Sequence, residues 1–184
     1  MKHQVPTGLK TTGFSVLELM FTVSLAAIVL VLGMPALQQF RQNRMMTAAV
    51  SSLHHHLALA RNEAVNLNIQ VVSCPGNLET GCAGSTDWQN GWIMFTDING
   101  DNEHNDSEMI TRHGPSFENL IIRSTNGRKF LRFSPTGYAP GSNMSIRFCD
   151  SRGPGKARKL VVSSVGRIRR DKATETAEAQ CPQT

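Results

Sequence analysis

The sequence predicts an α+β fold: a long N-terminal membrane-spanning helix packed on a small antiparallel β-sheet domain. Three observations predict it. A predominantly apolar stretch runs from Phe14 to Met34. An amphipathic pattern follows, with Leu53, Leu57, Ala60, Ala64 and Leu67 recurring at three- and four-residue steps. From Ile69 onward the period drops to two, and short strand candidates alternate with Gly, Pro, Asn and Ser clusters. A length of 184 residues suits one such domain plus an extended element.

The chain opens on a short polar, basic leader, residues 1–13, which ends in Gly13 and stays outside the folding argument. Residues 14–34 number 21, enough for one helix across roughly 30 Å of hydrocarbon. Glu18 is the lone carboxylate in that run. A charge inside a membrane costs at least about 2.5–3.5 kcal/mol, so such a residue is functional and seeks a partner. An ordinary signal peptide places its cleavage site after the apolar region, whereas the polar junction here precedes it. The stretch G-F-S-V-L-E-L, Gly13 to Leu19, resembles the class III signal of type IV pilins and type II secretion pseudopilins. The resemblance implies that prepilin peptidase cuts between Gly13 and Phe14 and methylates the new amine of Phe14. It implies that Glu18, fifth in the mature chain, meets the N-terminal amine of a neighbouring subunit, so that the buried carboxylate no longer stands alone. It further implies a single-pass protein of the bacterial inner membrane with a periplasmic C-terminal domain. That protein would join other pilin and minor pilin subunits in a surface pilus.

Residues 35–68 read as the amphipathic continuation of the helix, with a bend expected at Pro35, whose ring clashes with the preceding turn. The helix is expected to end near Asn66 to Asn68. Within it, His54-His55-His56 invites a metal reading, but consecutive helical residues point about 100° apart and cannot converge on one ion. Positions 58 and 59 are Ala and Leu, so no ligand follows one turn on, and surface or interface histidines are the expectation.

Residues 69–184 form the β-rich domain, placed in the periplasm by the resemblance. Its strand candidates are Ile69–Cys74, Gly91–Asp97, Leu120–Ser124, Lys129–Ser134, Met144–Cys149 and Lys159–Val165. Asn126-Gly127 lies between two of them and signals a hairpin. The continuous run Trp92 to Phe95 predicts a strand buried on both faces. Cys74 and Cys82 enclose a Pro- and Gly-containing loop that suits a small disulfide, and pairing Cys149 with Cys181 would pin the C-terminal tail to a strand. Four cysteines allow three connectivities, and a zinc site lacks the C-x-x-C spacing. Asp97-Ile98-Asn99-Gly100-Asp101, with Glu108 at the twelfth position, looks like a calcium loop, but its sixth position is Asn102 and its flanks are strands. The other reading is an Asx-rich hairpin connection. The order W-I-M-F-T-D-I-N-G-D…S-E-M-I, Trp92 to Ile110, resembles the globular domain of GspH/FimT-type minor pilins, which implies a fold element rather than an ion.

The formal charge of +5 hides a split. Between Cys74 and Glu118 there are eight acids against Arg112 alone, whereas between Ile121 and Lys172 thirteen bases face only Asp150 and Asp171. Such asymmetry argues for a polyanionic partner at one end of the molecule. In an extended segment Arg167 and Arg169 point the same way, about 6.6 Å apart, with Ile168 facing the other side. Two guanidiniums on one rim form a phosphate grip, with Arg170 next to them and Gly166 freeing the backbone. Lys156, Arg158 and Lys159 make a second basic loop. No aromatic residue sits among these bases in the sequence, so contact with the phosphate backbone is expected, without base stacking or sequence preference. The element Gly166-Arg167-Ile168-Arg169 resembles the G-R-x-R element of FimT-type minor pilins linked to DNA uptake in natural transformation. The resemblance implies that Arg167 and Arg169 contact DNA. A basic edge strand that discourages sheet aggregation is the alternative for the same residues.

For function the sequence therefore leaves a DNA-binding minor pilin, with a purely structural minor pilin or pseudopilin as the competing class. The sequence shows no nucleophile with a base, no Gly-rich phosphate loop and no metal-ligand cluster, so neither an enzyme nor a cofactor is expected.

Overall fold

Val16 opens a single helix because nothing before Asn68 stops it. The computed structural model describes Gly13, residues 15–172 and Cys181, so Phe14 lies outside the described residues. Helix α1 spans Val16–Leu67 and continues through Pro35. Asn68 ends it in the left-handed region, at φ 53, and the Ile69 amide donates to the Ala64 carbonyl at 3.2 Å. This cap satisfies a carbonyl the last turn would leave orphaned.

The chain divides into two units, Met1–Arg41 and Gln42–Thr184, with the boundary inside α1. In the first unit, the apolar stretch of α1 has none of its described residues buried within the structure. Its hydroxyls are satisfied locally: Thr22 Oγ1 donates to the Leu19 carbonyl at 2.9 Å and Ser24 Oγ to that of Phe21 at 2.8 Å. A helix whose polar groups close on themselves can enter an apolar medium.

In the second unit nine strands follow among the described residues. They are β1 Gln70–Asn77, β2 Gly81–Cys82, β3 Trp92–Asp97, β4 Ile110–Gly114, β5 Ile121–Ser124, β6 Leu131–Phe133, β7 Met144–Cys149, β8 Arg158–Val162 and β9 Ile168–Lys172. They make two antiparallel sheets where the sequence suggested one. The first has the order β2-β1-β3-β4, with β6 also paired to β1; the second has the order β5-β7-β8-β9. The Asn126-Gly127 turn forms, with the Arg128 amide donating to the Thr125 carbonyl at 2.9 Å and Gly127 at φ 77. It is not a hairpin, however. Strand β5 pairs with β7 and β6 with β1, because the chain changes sheets at this turn. Strand β3 is buried from Trp92 to Phe95, as a double-sided strand requires.

Both sheets and residues 46–64 of α1 share one core. Met46, Leu53, Leu57, Ala60 and Ala64 meet Trp92, Met94 and Phe133 of the first sheet, and Ile122, Ile146, Phe148, Leu160 and Val162 of the second. Polar contacts fix α1 from Gln42 to Arg61. Gln42 Nε2 donates to Ser151 Oγ at 3.3 Å, Arg152 Nη1 to Asn43 Oδ1 at 2.6 Å, and Arg61 Nε to the Gly137 carbonyl at 2.9 Å. The bonded cysteine pairs are Cys74–Cys82 and Cys149–Cys181.

The histidine triplet departs from expectation. His55 is exposed and His54 half-buried, but His56 is 5% exposed and packs edge-on against Trp92. It lies three residues after Leu53 and four before Ala60, on the core stripe, so burial follows from the helical period.

Candidate functional site

Strand register decides which cations share a face. Side chains alternate across a sheet, and cross-strand partners point to the same side. Leu160 and Val162 of β8 are buried, so their partners Arg170 and Ile168 on β9 share the helix-facing side. Lys159 and Val161 then face outward with Asp171 and Arg169. Strand β7 contributes Arg147 opposite Lys159, and β5 contributes Arg123 opposite Arg147. The outer face thus carries a row Arg123–Arg147–Lys159–Asp171. Arg169 belongs to the next row, and Arg167 lies beyond it at the hairpin turn.

Like charges directly opposite one another destabilise a sheet. Two acids relieve the row at its ends. Arg123 Nε meets Asp87 Oδ1 at 2.7 Å, and Lys159 Nζ lies 3.8 Å from Asp171 Oδ2. The Arg147 side chain, between them, has no hydrogen bond or ion pair among the described residues. Arg167 and Arg169 are both exposed.

The turn that presents Arg167 is built tightly. Ser163 N–H donates to the Arg167 carbonyl at 3.0 Å, and the Arg167 amide donates to Ser163 Oγ at 3.2 Å. Ser164, Val165 and Gly166 form the three-residue loop, and Gly166 takes its left-handed position at φ 75. A Cβ on Gly166 would lie 1.9 Å from the Gly137 oxygen, so only glycine fits. Gly166 therefore shapes the site rather than offering it a functional group.

The seven positions singled out in the sequence do not form one patch. Arg167, Arg169 and Lys159 share the outer face, with Gly166 setting the turn. Lys156 is exposed in a 3₁₀ turn, Pro154–Lys156. Arg158 and Arg170 belong to the helix-facing side. Arg158 Nη1 donates to Thr47 Oγ1 of α1 at 3.3 Å, and Arg170 helps to hold His54 below the ordinary histidine range, after burial as the larger cause. Arg123 and Arg147 went unnoticed because their alignment depends on pairings among three strands distant in sequence.

The other candidate positions are placed as follows. Glu18 sits in the first turn of α1, where a carboxylate complements the helix N-terminus. In the acidic loop, Asp97 accepts from the amides of Gly100 at 2.7 Å and Asn102 at 3.1 Å, and from Gln70 Nε2 at 2.5 Å. Glu108 accepts from the Ile98 amide at 2.9 Å and the Asn105 amide at 3.3 Å. Both carboxylates are buried and spent on donors of the loop and of Gln70 on β1, which is the chemistry of an Asx-rich connection. Among the described residues no group of three or more His, Cys, Asp or Glu is placed to hold a metal ion.

Comparison with known proteins bears on the larger part of the chain. The model of the family described as type II transport protein GspH matches residues 49–166. The type IV minor pilin FimU of Pseudomonas aeruginosa PAO1, in a P21 crystal form, has a TM-score of 0.58 at 20% identity, covering 73% of this chain and 93% of that one. The same protein in space group P65 gives 0.55 at 20% identity, over 69% and 93%. The minor pseudopilin EpsH from the Type 2 Secretion System of Vibrio cholerae gives 0.49 at 12% identity, over 70% and 98%. No curated protein matches.

Proposed function

Since the chain belongs to the type II transport protein GspH family, and so to the class of minor pilins and pseudopilins, we propose that it is a minor type IV pilin that binds extracellular DNA and supports DNA uptake in natural transformation. The observation that carries this reading is the outer face of the second sheet, where Arg169 lies one row on from Arg123, Arg147 and Lys159 and Arg167 follows at the turn. Guanidiniums spaced along strands match a row of phosphates and carry no base readout. Four to six phosphate contacts would give a log–log salt slope of roughly −3.6 to −5.4 on duplex DNA.

The rest of the reading follows the sequence signal. Prepilin peptidase removes residues 1–13 and methylates Phe14. Residues 14–34 hold the protein in the inner membrane, residues 35–68 continue the helix, and residues 69–184 stay in the periplasm. On assembly the helix joins other pilin subunits, and Glu18 takes the neighbouring amine. Lys156, Arg158 and Arg170, which are exposed as well, are further phosphate contacts away from that face.

The test is DNA binding by the full chain in a non-ionic detergent, read by fluorescence anisotropy of a labelled duplex across a salt series. The double variant Arg167→Gln/Arg169→Gln is expected to weaken binding and to make the salt slope shallower by about 1.8, two contacts at about 0.9 each. Absence of native binding at low salt would make a structural minor pilin or pseudopilin the better account. Binding unchanged by the double variant would remove these two arginines from the site.

A further inference from the structure

The fold brings an aromatic side chain to the arginine turn that the sequence kept apart from it. The Ala139 amide donates to the Ser164 carbonyl at 2.8 Å, and the Gly137 carbonyl lies against Gly166. Tyr138 is therefore held between two residues that both touch the Ser163–Arg167 turn. Its own carbonyl accepts from the Ser134 amide at 2.8 Å and from Ser134 Oγ at 3.1 Å, so its backbone is fixed. The side chain is not covered: Tyr138 is 53% exposed, Val165 on the turn 53%, and Val65, whose Cγ2 sits beside Gly137, 50%. Three large apolar residues thus stay in water at one corner, with Arg167 on the neighbouring strand end and Arg61 bound to Gly137 behind them.

Tyr138 thus exposes its ring on a fixed backbone beside the turn that carries Arg167, and single-stranded nucleic acid is bound where cations meet phosphates and an exposed ring takes a base. A duplex hides its base faces and gains nothing from such a ring. We infer that Tyr138 stacks on one unpaired nucleobase while Arg167 and Arg169 hold the adjoining phosphates, so that this corner prefers single-stranded or frayed DNA over duplex. The inference rests on the DNA-binding reading above and adds a specificity determinant to the same site. An interface with another subunit is the rival use of the corner.

The experiment compares a single-stranded oligonucleotide with a duplex of equal length at one salt concentration, on the full chain in non-ionic detergent. The native chain is expected to bind the single strand about tenfold tighter. Tyr138→Ala is expected to erase that preference and leave duplex affinity unchanged, and Tyr138→Phe to keep the preference, since stacking on one base carries a factor of this order. Tyr138 is the only tyrosine in the chain, so 3-fluorotyrosine labelling gives a single ¹⁹F signal. The single strand is expected to shift that signal upfield and the duplex to leave it in place. Equal affinity for both strands with an unmoved signal would overturn the inference while the DNA-binding reading stands. Binding of neither oligonucleotide would overturn both. A Tyr138→Ala variant that changes self-association but retains the single-strand preference would assign the corner to a subunit interface and overturn the inference.

Discussion

His56 shows what one buried side chain does to pH dependence. Burial lowers its pKa to about 4, against a partial upward pull from a backbone hydrogen bond at Ile93; Arg112, His55 and His113 push it further down. Its Nε2 has no hydrogen-bond partner among the described residues. The folded state therefore keeps the ring neutral, while the unfolded chain takes a proton near pH 6.5. The unfolded state binds more protons between those values, so stability is full above about pH 6.5 and falls as pH drops toward 4. Between pH 7.5 and 5 the loss expected from this residue alone is about 2 kcal/mol. His56→Gln removes the titration, so its unfolding free energy from urea melts should stay flatter over that range. A variant that falls as steeply as the native chain would place the pH dependence elsewhere. The residue's burial was legible in principle, since Leu53, His56 and Ala60 follow the helical period. The expectation of a surface position arose from reading the three histidines as one polar cluster.

At the scale of elements, the strands legible in the sequence were those with an apolar face. Strands β1, β3, β5, β6, β7 and β8 show buried positions in their patterns, and each was expected within a few residues. Strands β4 and β9 have no buried residue, with patterns of intermediate and exposed positions only. They are edge strands, fixed by the neighbour they pair with rather than by their own hydrophobicity. The outer cationic face was hidden for the same reason: Arg123 and Arg147 become neighbours only through the β5–β7 register. The two disulfides act on the chain at this scale as well. They close segments of sequence separation 8 and 32. In the chain-entropy account these loops are worth about 2.6 and about 3.7 kcal/mol. Replacing Cys149 and Cys181 by Ala is therefore expected to lower the unfolding free energy more than replacing Cys74 and Cys82. Urea melts of the two double variants check the order, and a larger loss at Cys74–Cys82 would reverse it.

At the scale of the whole molecule, apolar surface is divided between two uses. Every residue of the three buried clusters lies in Gln42–Thr184. Among the described residues the first unit leaves its large hydrophobics exposed, including Leu17, Phe21, Ile28, Val31 and Leu32. A surface of that extent on a monomer marks a membrane or protein contact. The second unit owns its core, its disulfides and the polar anchors at Gln42, Asn43, Thr47 and Arg61. A fragment Gln42–Thr184 is therefore expected to fold without detergent and to match the full chain's urea unfolding free energy within about 1 kcal/mol, the cost of a newly frayed helix start. Far-UV circular dichroism and urea melts check this, and a fragment several kcal/mol weaker would show that residues before Gln42 stabilise the domain. Since Arg123, Arg147, Lys159, Arg167 and Arg169 all lie in this unit, a folded fragment should also keep the salt slope of the full chain on duplex DNA. A fragment that folds but loses that slope would locate the phosphate contacts in the N-terminal unit, among Arg41 and the leader bases, and would move the DNA-binding function away from the sheet.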